Sequence, residues 1–245
     1  IEMTEAVRAL PAGSLARLLL PAGRAYGLVH VNPHSLIVGR LLTRNLETPL
    51  DTTFFARRLA RALALRERLL PGGFYRLVHG EGDGLPGLVV ERYGDVAVVQ
   101  AGSAGMDRAL DAILDAVRSV LEPRAIVVRN DSQARAREGL AIEEPRVEGD
   151  LDGQVTVREG PVAFRADLCG GQKTGWFYDQ RPNRAWIAGI AAGARVLDLY
   201  SYAGGFAVRA LAAGAAYALA VDRAETPLAL ARAAAAGAEV ESRLE

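Results

Sequence analysis

Between residues 13 and 42 apolar positions gather in three short strand-like runs, Ser14 to Leu20, Tyr26 to Val31 and Leu36 to Leu42, separated by Pro21-Ala22-Gly23 and Asn32-Pro33-His34-Ser35 turns. They predict part of a small β module whose opening strands are absent, since no strand precedes Met3. The period then lengthens: Asp51 or Thr52 caps a helix that runs to Leu70 and stops at Pro71-Gly72-Gly73. Phe55, Leu59, Leu63 and Leu70 form its buried stripe, and Arg57, Arg61 and Arg68 recur at helical spacing on the other side. Arg66 falls inside the apolar arc and needs a partner.

From Phe74 strands and helices alternate. Phe74 to His79, Leu88 to Arg92 and Val96 to Gln100 read as strands. Met106, Leu110, Ile113, Val117 and Leu121 space one amphipathic helix ended by Pro123, and Ala125 to Arg129 is a further strand. Val155 to Arg158 and Val162 to Arg165 make a hairpin about Glu159-Gly160. After Gly193, Arg195 to Tyr200 reads as a buried parallel strand, Gly204-Gly205-Phe206 opens a helix through Ala213, and Tyr217 to Val221 is a second strand ending at Asp222. Pro227 starts another helix, Leu228 to Ala236, and Glu239-Val240-Glu241 opens a third strand. The class is α/β.

These patterns run along 245 residues, 50% hydrophobic and 24% charged, enough for one large or two to three small domains. No eighteen-residue apolar run occurs, and the start carries Glu2 and Glu5 where a signal peptide would carry bases, so a cytoplasmic chain with no membrane partner is expected. Cys169 is the only cysteine, which excludes an internal disulfide, and with three histidines (His30, His34, His79) no metal site is expected. The zero net charge is a cancellation: residues 1–72 hold ten arginines against five acids, and the remainder holds nineteen bases against twenty-four acids. The basic part is where phosphate contacts are expected, with Arg57, Arg61 and Arg68 as the RNA-facing set and a plain solvated helix face as the alternative. Among 29 basic residues Lys173 is the single lysine; a compact ammonium and a planar guanidinium are not interchangeable in a tight site, which makes Lys173 a candidate site residue.

The densest chemistry lies at the last strands. Glycines at a strand-to-helix turn let backbone approach a ligand, and an acid at the tip of the next strand can accept both hydroxyls of a ribose. Gly204-Gly205 and Asp222, seventeen residues after Gly205, fit that arrangement. The turn Ser201-Tyr202-Ala203-Gly204-Gly205-Phe206 lacks the glycine spacing that seats a pyrophosphate. Asp198, ending the first strand, would repel a diphosphate but receive an ammonium. S-adenosylmethionine satisfies both conditions, and a nicotinamide dinucleotide does not.

Gly171-Gln172-Lys173-Thr174-Gly175-Trp176-Phe177-Tyr178-Asp179-Gln180-Arg181-Pro182-Asn183-Arg184, followed by Val196 to Phe206, resembles the paired signature of bacterial 23S ribosomal-RNA 5-methylcytosine methyltransferases. Gly80-Glu81-Gly82-Asp83-Gly84-Leu85-Pro86-Gly87 through Gly94, and Arg129-Asn130-Asp131-Ser132, resemble the same family in the same order. The resemblance implies an incomplete PUA-like RNA-binding module at 1–50, a linker helix at 51–72, a central α/β domain at 73–166 and, at 167–245, the first half of a Rossmann-like class I methyltransferase fold. It further implies S-adenosylmethionine as cofactor, held by Asp198, Ser201, Ala203, Gly204, Gly205, Phe206 and Asp222. Lys173, Asp179, Gln180 and Arg181 would line the entrance. Ribosomal RNA is the implied partner, and a homodimer stays open.

Relative to that family the opening strands and everything after the third methyltransferase strand are missing, so the cysteine nucleophile is expected beyond Glu245 and the chain alone is expected to be inactive. Cys169 does not match the nucleophile position and has no histidine near it in sequence. A guanine-N methyltransferase of ribosomal RNA and a non-catalytic RNA-binding protein with the same fold are the competing readings.

Overall fold

The computed structural model describes residues 5–70 and 72–245; the readings made at Met3 and Pro71 lie outside the described residues. The chain forms two compact units, Ile1–Leu151 and Asp152–Glu245.

The first unit opens with the helical turn α1 (Glu5–Arg8) and an antiparallel meander of β1 (Ser14–Leu19), β2 (Ala25–Val31) and β3 (Gly39–Thr43). The third strand starts three residues later than the pattern Leu36 to Leu42 indicates. The Asn32 amide donates to Val38 O at 2.8 Å and closes a turn that leaves Leu36 and Ile37 exposed. Helix α2 (Thr52–Leu69) begins as expected, with the Phe54 amide donating to Asp51 Oδ1 at 3.0 Å. It buries Phe54, Phe55, Leu59 and Ala62, while Leu63 and Leu70 pack at the margin. Arg66 has the partner its position demanded, Asp83, at 2.7 Å.

The main sheet has the order β4 (Phe74–His79), β5 (Leu88–Tyr93), β6 (Val96–Ala101), β7 (Ala125–Val128), β8 (Arg146–Gly149). β6 and β7 run parallel and the other neighbours antiparallel. The crossover expected as one helix is two, α3 (Ala104–Arg108) and α4 (Leu110–Leu121), meeting at Ala109; the break leaves Met106, Ile113 and Val117 all fully buried. β8 has only four residues and no alternating burial, so no sequence pattern announced it. Leu77, Val90, Val99, Ile113 and Val117 meet Phe55 and Leu59 in one core.

The β meander and this sheet share one unit, so residues 1–50 do not form a separate body as the boundaries 1–50, 51–72 and 73–166 had it. Buried polar contacts hold the parts together. Glu138 accepts from Ser35 Oγ at 2.7 Å, from Asn32 Nδ2 at 3.0 Å and from an Arg40 guanidinium nitrogen at 3.1 Å. Burial pushes the Glu138 carboxyl up, but these three donors and the Ala104 amide outweigh it and hold it below the usual carboxylate range.

The second unit starts earlier than residue 167. The hairpin β9 (Gln154–Glu159) and β10 (Val162–Asp167), expected to close the central domain, belongs here. Its buried face carries Val157 and Phe164, and the Phe164 ring lies 4.7 Å from that of Trp176. α5 (Arg181–Ile190), β11 (Arg195–Leu199), α6 (Gly205–Ala212), β12 (Tyr217–Val221) and α7 (Glu225–Gly237) follow, with β11 and β12 parallel and in register from Arg195↔Tyr217 to Leu199↔Val221. α7 begins two residues before Pro227, a position in the first turn where the missing amide costs nothing. The third strand does not begin at Glu239. Glu241–Arg243 form a 3₁₀ turn, and only Leu244 bridges in parallel to Ala218. Within the residues described, β11 covers Asp198 and leaves Leu197 60% and Leu199 56% exposed. Among the described residues no helix is long and apolar enough to cross a membrane.

Candidate functional site

The chain leaves β11 through a turn that few sequences would accept. Tyr200, Tyr202 and Gly204 have φ of 58°, 50° and 68°, all left-handed, and two of the three are not glycine. Such residues cost about 1–3 kcal/mol each unless their surroundings enforce the shape. Here the surroundings do. The Ser201 amide donates to Val221 O at 3.1 Å, the Tyr202 amide to Asp222 Oδ2 at 2.9 Å, and the Gly204 amide to Ser201 O at 2.9 Å. Gly204 cannot be replaced: an added Cβ would stand 2.6 Å from Ala231 Cβ.

The acid at the end of β11 has a role the pattern did not disclose. Gly204 occupies the N-cap position of α6 and has no side chain, and Asp198 caps in its place by accepting the Ala207 amide at 3.1 Å. Burial raises the Asp198 carboxyl above its ordinary range, partly countered by that amide and the Arg184 charge, and the negative charge of Asp222 adds to the rise. Asp222 behaves oppositely. The Ala224 amide at 3.0 Å and then the Tyr202 amide pull it below the usual range. With the Arg223 amide, these leave about one of a carboxylate's roughly four acceptor positions open. Between these acids Ser201 is buried, and its Oγ has no hydrogen-bond partner among the described residues. A buried hydroxyl without a partner is costly unless a ligand completes it.

The turn therefore brings Asp198, Ser201, Ala203, Gly204, Gly205 and Asp222 to one end of the parallel pair, with Phe206 half-buried in the first turn of α6. The Gly171-to-Arg184 segment packs against it. Tyr202 Oη donates to Gly175 O at 3.3 Å, and the Tyr202 and Phe177 rings meet edge to face at 5.4 Å. Lys173, also left-handed at φ 53°, pairs with both Asp179 oxygens at 3.1 Å and lies 4.2 Å over the Phe177 ring. Gln180 accepts from Asn183 Nδ2 at 2.9 Å. Arg181 lies 3.8 Å from Glu159 and over the Tyr178 ring.

Sequence reasoning missed the pair beneath this surface. Arg184 and Glu159 are 3% and 5% exposed and joined by two bonds of 2.7 Å. Arg184 also donates to Phe177 O at 3.0 Å, stands 4.8 Å over the Trp176 ring, and would meet a Cβ on Gly205 at 3.0 Å. Trp176 Nε1 donates to Glu159 at 3.3 Å. Burial pushes Glu159 up, yet Arg184, Trp176 and Arg181 together bring it below the usual carboxylate range. The signal available was an arginine repeating at Arg181 and Arg184, and it looked like a charged helix face. Cys169 sits half-buried in the turn after β10, its amide on Asp167 Oδ1 at 2.9 Å, and the second unit contains no histidine.

The sequence model of S-adenosylmethionine-dependent methyltransferases matches residues 123–238. The chain is 38% identical over 204 residues to a ribosomal RNA large subunit methyltransferase I of Alteromonas mediterranea, covering 82% of this chain and 51% of that protein. It is 36% identical over 205 residues to the protein of the same name from Salmonella arizonae, again covering 82% and 51%. The chain thus spans about half the length of the curated relatives it matches. A structure from Streptococcus mutans described as a SAM-dependent methyltransferase superposes with a TM-score of 0.82 at 23% identity, over 96% of this chain and 62% of that one. A methyltransferase structure solved with S-adenosylhomocysteine superposes equally, with a TM-score of 0.82. At that identity the likeness is one of fold: mixed α/β with a Rossmann-like methyltransferase topology.

Proposed function

We propose that the chain is part of an S-adenosylmethionine-dependent methyltransferase that modifies large-subunit ribosomal RNA at C5 of a cytosine. The observation that carries the cofactor reading is the left-handed turn with a buried, unpartnered Ser201 hydroxyl between two acids of opposite character. The match at 123–238 and the names of the relatives support it.

The residues fit the group. When bound, the cofactor supplies an electrophilic methyl group. Asp222, ionised and with acceptor capacity left over, takes a ribose hydroxyl, and Ser201 Oγ gains the partner it lacks among the described residues. Asp198 stabilises an ammonium, whose positive charge offsets its burial beside Asp222. Ala203, Gly204, Gly205 and Phe206 shape the turn around the ligand. Lys173, Asp179, Gln180 and Arg181 line the way in, the Lys173–Asp179 pair bracing that segment.

Addition of a thiolate at C6 is what makes C5 of a pyrimidine nucleophilic. The second unit contains no histidine, and the nucleophile is assigned beyond Glu245, as the family resemblance implies. The bare Leu197, Leu199 and Val221 side chains support further elements completing this sheet. The β1 to β3 meander is assigned as a partial PUA-like module, Arg57, Arg61 and Arg68 as RNA contacts, and the cytoplasm as the compartment, where ribosomal RNA is met.

Calorimetric titration of S-adenosylhomocysteine tests the cofactor site. Asp222→Ala removes a charge-assisted hydrogen bond worth about 1.5–3 kcal/mol, so affinity falls roughly ten- to a hundred-fold. Equal affinities would take Asp222 out of the site, and tighter binding of NAD than of S-adenosylhomocysteine would overturn the methyltransferase reading. Nucleoside analysis of treated ribosomal RNA separates 5-methylcytidine from a methylguanosine.

A further inference from the structure

Helix α2 and the loop Gly80–Asp83 with Gly84 enclose a groove of about 570 Å³, lined by Arg58, Arg61, Ala62, Leu65, Glu81 and Asp83, with Gly82 and Gly84 in its wall. Its lining carries two arginines and two acids, but the acids are paired to arginines outside it. Glu81 is paired with Arg40 at 2.9 Å and Asp83 with Arg66 at 2.7 Å, and neither arginine lines the groove. Arg58 is held by carbonyls, donating to Gly84 O and Leu42 O with its guanidinium 4.4 Å over the Phe54 ring. Arg61 lines the groove exposed, with neither ion pair nor hydrogen bond among the described residues, and Arg57 stands beside it on the same helix in the same condition. Burial and then the charges of Arg61 and Arg57 lower the Arg58 guanidinium from its ordinary value, so three cations crowd this end of α2 without an anion of their own.

The loop is built to leave room. A Cβ on Gly84, at φ 73°, would stand 2.1 Å from the Arg58 guanidinium, so glycine there lets the arginine lie flat against the wall. A Cβ on Gly82 would meet nothing within 4 Å, so that part of the wall faces open space. Leu65, 48% exposed, and Ala62 supply an apolar floor between the cations. Unpaired guanidiniums at the rim of a cleft of this size, with apolar surface beneath, suit a phosphodiester strand whose charge stays outside while a sugar or base lies inside.

We infer that the groove between α2 and the Gly80-to-Gly84 loop seats an RNA strand, with Arg57 and Arg61 on adjacent phosphates and the loop as the opposite wall. The inference rests on the RNA-modifying reading above and adds to it a place on the first unit and a second wall that the arginine spacing alone does not supply. Arg58 is part of the wall and holds it open.

Fluorescence anisotropy with a labelled RNA hairpin carrying a single-stranded loop, repeated over a range of salt, tests the groove on the full chain. Arg57→Ala with Arg61→Ala weakens binding on the order of tenfold and lowers the salt slope by roughly 1.4, the value for two contacts to a single strand. Gly82→Asp touches neither arginine and folds without a clash, and it weakens binding by placing a carboxylate in the groove. Arg232→Ala, an exposed arginine on α7, leaves affinity and slope unchanged. Wild-type affinity in both groove variants while the wild type binds RNA overturns the groove and spares the RNA reading. No binding by the wild type overturns both. Equal loss in Arg232→Ala, or displacement of RNA by inorganic phosphate at matched ionic strength, overturns it as a site for an RNA strand.

Discussion

The two units use the same kind of apolar run and end in opposite states. In the first, β5 and β6 carry Val90, Val98 and Val99 fully buried, and α2 and α4 cover the sheet. In the second, β11 leaves Leu197 and Leu199 largely exposed and buries Asp198. Both units bury apolar side chains and charged pairs: the first joins a continuous hydrocarbon core to Arg135 with Asp107 and Glu138 with Arg40, and the second sets a two-bonded pair, Glu159 with Arg184, against Trp176 among buried Val157, Phe164 and Leu211. Hydrocarbon burial is non-directional and tolerant, while a buried ion pair is worth having only if every partner is in place. What sets the unit bearing the candidate site apart is that its doubly bonded pair lies directly beneath the segment that packs on the site turn.

The sharpest way to break this contrast is to remove one partner of the pair. Arg184→Ala leaves Glu159 charged and uncompensated and should destabilise the second unit by about 3–5 kcal/mol, whereas Glu159→Leu with Arg184→Met should recover most of it. Trp176 and Trp186 are the only tryptophans and both lie in this unit, so urea unfolding followed by their fluorescence reads it directly. An unchanged midpoint in Arg184→Ala would reduce the pair to a spectator.

Acid separates the units next. His30 is buried in the first, its Nδ1 without a hydrogen-bond partner among the described residues, and burial followed by the Arg108 charge lowers its pKa from 6.5 to about 4. The unfolded chain takes up this proton first, so stability present above pH 6.5 is lost as pH falls toward 4, by about 3 kcal/mol in all. Glu159 and Asp222 lie below their ordinary values, so their contributions to the second unit hold until pH falls through the normal carboxylate range. Asp198, raised by burial, runs the other way and stabilises more on acidification. Amide hydrogen exchange of β5 and β6 between pH 7 and 4, corrected for the intrinsic rate, should show protection falling in wild type but not in His30→Asn. Parallel curves would remove His30 as the cause.

The smallest effect sharpens the contrast in capping. α2 is capped by the residue the sequence indicates, Asp51, while α6 borrows its cap from Asp198, six residues before Gly204. Asp51→Ala should cost the first unit about 1 kcal/mol, measured by its urea midpoint. No shift would mean that the amides of α2 find water at no cost.

Local periodicity and turn chemistry were sufficient for the α2 cap, the β4 to β6 strands and the β11-α6-β12-α7 order, because each is decided by neighbours within a turn or a hairpin, whereas they showed that Arg66 needs a partner without naming Asp83. The order of Asp198, Gly204-Gly205 and Asp222 was legible for the same reason. Other features depended on contacts distant in sequence. The β9–β10 hairpin joined the second unit through the packing of Phe164 on Trp176, and the β meander joined the main sheet through Glu138. Asp198 became a helix cap, Ser201 was left without a partner, and Arg184 looked like a surface charge until Glu159, twenty-five residues earlier, met it in the interior. Sequence spacing states which residues can share a face; whether that face is buried, and against which charge, is fixed only when distant segments exclude water together.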